Sequence, residues 1–198
     1  MNRFLAIPVA IAATALPGIA TAQFSDSFNF LKAVKDRDGN KVTELLNRPG
    51  SGSVIINTRD GSSGESALHI VAARRDTQWL GFLLQRGGNP DVRDARGDTP
   101  LQIAVALRWP EGVQTLITRR ANLEIANGSG ETPLSKAVQN NDIATVRFLL
   151  AGGANANRTD NAGFSPKDLA RRDPRLASIL KELLAAKPVV RREVQGPR

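Results

Sequence analysis

The chain has no cysteine, no tyrosine and one histidine among its 198 residues. Without cysteine it forms no disulfide scaffold, cysteine zinc site, iron–sulfur cluster or thiol nucleophile. A lone His69 cannot build a His-rich metal site or a paired-imidazole acid–base system. Aromatic residues are 5% of the chain, too sparse to stack along single-stranded nucleic acid. Acidic residues are outnumbered 27 to 19 by basic ones, giving a net charge of +8. That balance excludes an acidic tail protein and leaves an anionic partner open. No cofactor, metal or nucleic-acid partner is expected.

Long apolar runs are scarce too, with one exception at the start. Arg3 precedes an apolar stretch from Phe4 to Leu16, interrupted by Pro8 and Thr14. Pro17-Gly18 is expected to break a helix there, and Ala20-Thr21-Ala22 supplies the small-x-small pattern of signal-peptidase sites. The stretch falls well short of the roughly 20 residues a membrane span needs. Residues 1–22 therefore read as a secretory signal, cut between Ala22 and Gln23. A single arginine before the run favours the general secretory route over the folded-protein route, and no cysteine follows the cut to carry a lipid. The short, Ala-rich leader points to a bacterial, periplasmic protein. The mature chain of about 176 residues is expected to be soluble and indifferent to an oxidising compartment.

What the sequence does have is a period. Gly64, Gly97, Gly130 and Gly163 are each 33 residues apart. Leu80, Val113, Val146 and Ile179 keep the same spacing, as do Leu84, Ile117, Leu150 and Leu183. Ala104, Ala137 and Ala170 are in phase, and Asn89, Asn122 and Asn155 close each unit. Each unit has its own physical grammar. The glycine sits in a tight turn where a positive φ costs little. Thr99-Pro100, Thr132-Pro133 and Ser165-Pro166 follow, a hydroxyl to cap a helix and a proline for its first turn. A short helix carries an alanine where a neighbour approaches closely. A second helix then bears apolar residues at i, i+3 and i+4, such as Val146, Leu149 and Leu150. Gly87 or Gly153 ends it in a left-handed cap.

These residues resemble the ankyrin repeat, whose pattern runs D-x-x-G-x-T-P-L-H-x-A-A and closes on L-L and G-A-D-V-N. The match is carried by Asp94 with Gly97-Asp98-Thr99-Pro100-Leu101, by Gly130-Glu131-Thr132-Pro133-Leu134 and by Gly64-Glu65-Ser66-Ala67-Leu68-His69. Gly87-Gly88-Asn89-Pro90-Asp91 and Gly153-Ala154-Asn155-Ala156-Asn157 supply closings. The resemblance spans residues 28–186. It implies an all-α solenoid of helix-turn-helix units joined by β-turn loops over residues 23–187. Its units are expected at 27–60, 61–93, 94–126, 127–159 and 160–187. The first is offset by the loop Arg48-Pro49-Gly50-Ser51-Gly52-Ser53, and residues 188–198 are expected to form a disordered basic tail. Three positions depart from the family. Arg75 and Arg108 stand where the inter-helix glycine belongs, and Arg120 where the cap glycine belongs. A side chain at positive φ costs about 1 kcal/mol. Either the backbone differs there or these arginines serve another purpose.

No catalytic set accompanies His69, so it reads as the family's structural histidine, bonded to a neighbouring turn; positions one, two and three periods later hold Gln102, Ser135 and Asp168. Asp91, Asp94 and Asp98 lack the spacing and closing glutamate of a calcium loop, and the repeat's own turn accounts for them. Gly128-Ser129-Gly130 lacks the Lys-Ser/Thr that a phosphate loop requires.

The chain is therefore read as a non-enzymatic protein-binding module. The resemblance implies a partner on the concave face of turns and first helices. Arg74, Arg75, Arg108 and Trp109 fall at inter-helix positions of adjacent repeats, with Asn140 continuing the row. Arg and Trp often dominate interface energy. With Arg96, Asp98, Glu131 and Phe164 they are the candidate partner-binding residues; Ser63, Glu65 and Ser129 complete the set. Phe164 is a large apolar residue at a turn tip, which its own C-terminal helix is able to cover. A monomer is expected. The alternative is weak docking on lipid headgroups or wall polymer through the basic C-terminal end, where residues 165–198 hold nine basic and four acidic residues.

Overall fold

Eleven α-helices and one 3-10 turn make up the described part of the chain. The computed structural model describes residues 17–50 and 52–186. Residues 1–16 of the expected leader and the expected tail 188–198 lie outside the described residues.

Helices alternate between two layers. The inner layer holds α1 (Pro17–Asp36), α4 (Ala67–Ala73), α6 (Pro100–Ala106), α8 (Pro133–Gln139) and α10 (Pro166–Arg172). Each packs on the next, and each packs on the helix that follows it in the chain. The outer layer holds α2 (Gly39–Leu46), α5 (Thr77–Gln85), α7 (Pro110–Thr118), α9 (Ile143–Ala151) and α11 (Ala177–Ala185). A single turn, α3 (Gly52–Ile55), lies between α2 and α4, and a 3-10 turn (Pro174–Leu176) between α10 and α11. The expected all-α solenoid is the observed one.

Local chemistry explains why the elements begin where they do. Inner helices α6, α8 and α10 start at Thr99, Thr132 and Ser165, whose hydroxyls accept from the backbone N–H three residues on. Proline follows in the first turn of each, where its missing N–H is no loss. Outer helices α2, α5 and α9 begin at Asp38, Asp76 and Asp142, whose carboxylates do the same work. Pro17 and Gly18, where a break is expected, lie in the described part of α1, and the residues before them lie outside the described residues. Helix α1 thus runs across the Ala22–Gln23 junction. The expected Arg48–Ser53 loop gives way at Gly52 to α3, because Ile55 and Ile56 need burial and reach it.

The core is one apolar sheet of side chains between the layers. Leu68, Leu101 and Leu134 from the inner helices meet Leu80, Leu83, Val113, Leu116, Val146 and Leu149 from the outer ones. The 33-residue columns are therefore the columns of the core.

The backbone does not depart at the arginines. Arg75, Arg108 and Arg120 have φ of 54°, 50° and 61°, alongside Arg37 at 60° and Asn141 at 52°. Two of them have a second purpose. Arg75 Nη2 donates to the Leu107 carbonyl, and Arg108 Nη2 to the Asn140 carbonyl. Each reaches the C-cap carbonyl of the next inner helix, which lacks an intrahelical donor. Replacing Arg120 by glycine is expected to stabilise the fold by about 0.5–1 kcal/mol, through release of the left-handed strain. Arg108→Gly should gain less, because it also loses the bond to Asn140. Urea unfolding of the two variants beside the native protein checks the order.

Candidate functional site

Three ladders of polar contacts run from repeat to repeat, and they engage the side chains of Arg74, Arg75, Arg108 and Asn140 among the candidate residues. The first lies at the turn between the helices of each unit. Arg74 Nη1 donates back to the Val34 carbonyl at 2.6 Å, and Asn140 Nδ2 back to the Val105 carbonyl at 3.1 Å. Arg75 and Arg108 donate forward, as described. The row of Arg74, Arg75, Arg108 and Asn140 is thus tied into the solenoid. Arg74 is also 3.3 Å from Asp76 and lies 5.2 Å from the centre of the Trp79 ring. Its side chain is 16% exposed. Burial holds its guanidinium below the ordinary arginine range, with Asp76 opposing the shift.

Trp109 leaves the exposed set altogether. It is 5% exposed and its ring lies over Gly112, where an added Cβ would collide with the ring. Its backbone begins α7, an outer helix without an aspartate cap. The side chain turns inward because Gly112 leaves it room, a relation that the row of arginines does not reveal.

The second ladder uses the first turn of the inner helices. His69 is fully buried. The Ser66 backbone N–H donates to its Nδ1 at 3.1 Å. That leaves the proton on Nε2, which donates to the Asp98 carbonyl at 3.0 Å. Gln102 repeats the device one unit on: its Oε1 accepts from the Thr99 N–H and its Nε2 donates to the Glu131 carbonyl at 2.9 Å. His69 therefore stands where its sequence context places it, bonded to the neighbouring turn. Burial is the main cause holding its pKa below the ordinary 6.5, while the Asp98 carbonyl and the carboxylates of Asp94, Glu65 and Asp98 oppose it.

The third ladder joins the loops. The backbone N–H groups of Asn89, Asn122 and Asn155 donate to the side chains of Asn57, Asp91 and Glu124, each at 2.7 Å. The same three asparagines accept from the backbone two residues on. At the turn tips Asp94 Oδ1 accepts from the N–H groups of Arg96 and Asp98, both at 2.9 Å. Asp91 and Asp94 are thus turned towards backbone donors, with Asp98 joined at its own N–H.

What these ladders leave free is narrow. Helices α4, α6 and α8 have seven residues each and bury five. The two left over are Ile70 and Ala73 on α4, Ile103 and Ala106 on α6, and Lys136 and Gln139 on α8. They lie three apart, hence on one side of each helix, and the three alanine or glutamine positions are exposed. Beside them stand the tip residues. Arg96 is 73% exposed and 3.5 Å from Asp98. Glu131 Oε1 accepts from Gln139 Nε2 at 2.8 Å. Phe164 is half-buried, covered by Arg172 of α10 at 4.3 Å from the ring centre. Ile70, Ala73, Ile103 and Ala106 lie outside the set of residues expected from sequence. Their signal is nonetheless there: they are columns 33 apart on the side of the helix opposite Leu68 and Leu101.

Of the five described basic residues of the C-terminal end, Arg171, Arg172 and Arg175 are engaged. Arg171 pairs with Asp168 at 3.1 Å, Arg175 with Asp173 at 2.7 Å and Arg147 with Glu182 at 2.7 Å. A groove of about 1260 Å³ between loops 122–127 and 153–158 holds none of the candidate residues. Among the described residues no helix is long and apolar enough to cross a membrane.

The period, the paired layers and the turn chemistry define a repeat solenoid, and the chain belongs to the ankyrin-repeat family. The family's three-copy ankyrin-repeat model matches residues 30–127 and again residues 68–160. Ankyrin-repeat domains are typically non-catalytic modules that bind other proteins.

A buried neutral histidine makes the fold acid-sensitive. Because the folded pKa is depressed, the unfolded chain binds more protons below about pH 6.5. Stability contributed at His69 is full above that value and is lost as pH falls towards the folded pKa. His69→Gln, which copies Gln102 of the next unit, keeps both bonds and cannot titrate. Its urea midpoint should fall less between pH 7.5 and pH 5 than that of the native protein.

Proposed function

We propose that this protein is a non-enzymatic binding module exported to the periplasm, and that its partner docks on the concave face of turn tips and inner helices. One observation supports this reading: each central inner helix buries five residues and leaves two on one side, the second of which, Ala73, Ala106 or Gln139, is exposed. A solenoid ordered by its own ladders loses little conformational entropy on binding. The Arg74–Arg75–Arg108–Asn140 row serves the solenoid, and the partner rests on Ile70, Ala73, Ile103 and Ala106, bordered by Glu65, Arg96, Asp98 and Glu131. Export rests on the leader, whose cut leaves Gln23 at the mature N-terminus. The alternative, docking on lipid headgroups or wall polymer, has less to draw on, since Arg171, Arg172 and Arg175 are engaged. Most of the other basic residues of that end lie in residues 187–198.

A photo-crosslinking residue placed at position 73 or 106 in cells is expected to give a discrete adduct, and one at exposed Gln114 on α7 none. Adducts of equal yield at all three positions, or at position 114 alone, would contradict the placement. N-terminal sequencing of the same preparation should read from Gln23.

A further inference from the structure

The concave face carries an internal clue to what it binds. In the 127–159 unit the tip carboxylate of Glu131 accepts from Gln139 on its own inner helix, at 2.8 Å. One and two periods earlier the tip residues are again acidic, Asp98 and Glu65. The helix positions facing them are Ala106 and Ala73, both exposed and neither able to donate. The tips thus repeat the acceptor three times, while the inner helices supply a donor to one of them. Glu65 has only the Ser63 hydroxyl, 3.2 Å from Oε2. Asp98 has Arg96 at 3.5 Å, on a side chain 73% exposed. Between the two carboxylates and the alanines lies the apolar floor of Ile70 and Ile103, both half-buried. The strip is bounded: the next unit brings Lys136 and Gln139, and the preceding inner helix brings Lys32 and Lys35.

We infer that the strip over α4 and α6 takes a peptide segment of a partner protein bearing two cationic side chains. These would seat over Ala73 and Ala106 and pair with Glu65 and Asp98, while the segment's apolar side rests on Ile70 and Ile103. Adjacent helices pack about 10 Å apart, so the two cations stand about 10 Å apart as well. A segment in the polyproline II conformation meets that spacing with basic residues three positions apart, which then share one face. Alanine is the fitting residue beneath them, since it leaves the room that Gln139 fills in the next unit. This inference rests on the concave-face reading above.

The test is selection of binders from a phage-displayed library of random dodecapeptides on the mature protein. Binding of the selected peptides is then measured against Ala73→Arg/Ala106→Arg and Glu65→Gln/Asp98→Asn variants, with thermal unfolding recorded for each. The expected peptides carry two Lys or Arg residues three apart beside apolar ones. They lose binding to the first variant and weaken about tenfold on the second. As a measurement independent of the protein's folding, replacing both peptide cations by glutamine should weaken binding to the native protein similarly. Peptides that fail on the first variant but lack cations, or ignore both charge removals, overturn this inference and leave the concave-face reading standing. Peptides that ignore the first variant, or a selection that enriches none, overturn that reading and this inference with it.

Discussion

Everything in this molecule depends on one repeat resting on the next. A seven-residue helix is too short to be stable alone. Here it is held on three sides, by its predecessor, its successor and its own outer helix. Leucine and valine columns supply the attraction between them. Polar contacts set the register: His69 to the Asp98 carbonyl, Gln102 to the Glu131 carbonyl, Arg75 to Leu107 and Arg108 to Asn140. Arg75 and Arg108 reach carbonyls that a helix end leaves unpaired, while His69 and Gln102 add a second bond to carbonyls that already accept from the Asp94 and Asn127 N–H groups. The energy of one unit is thus largely interface energy, as expected of a solenoid.

That dependence decides which surface is available for recognition. An arginine tied to a carbonyl of the neighbouring unit has one of its five donors committed to the solenoid and its head held in place by that bond. The inter-helix row therefore contributes order, at the strain of a left-handed backbone. On the inner helices Ile70, Ala73, Ile103 and Ala106 have side chains that carry no such bond. On each helix they are held in place by five buried neighbours, so they form a rigid strip. Rigidity where contacts are made, and freedom from internal bonding, are what a preformed binding face requires.

The solenoid was legible because its signal is repeated. A 33-residue period in glycine, leucine and alanine reports which residues share a layer, and the Thr-Pro steps report where inner helices begin. The proposed binding face was only partly legible. Spacing showed that Arg75, Arg108 and Asn140 are neighbours, but adjacency does not reveal exposure or which carbonyl a guanidinium reaches. Trp109 illustrates the difficulty most clearly, since its burial depends on Gly112, three residues on in the helix that Trp109 begins. Glu65, Asp98 and Glu131 were found at the tips because polar residues there stand out. Ile70 and Ile103 are not legible as surface, since an isoleucine in a short helix reads as core. Only the pattern of five buried residues and two that are not separates them from Val71 and Ala104.

The central claim is that the inter-helix arginines hold repeats together and do not recognise a partner. Arg75→Ala/Arg108→Ala tests it directly, by urea unfolding together with the crosslink yield from position 73. The account predicts a loss of about 1 kcal/mol per bond removed and an unchanged adduct under conditions where the variant is folded. Unchanged stability with the adduct lost would contradict it and return the arginines to the binding face.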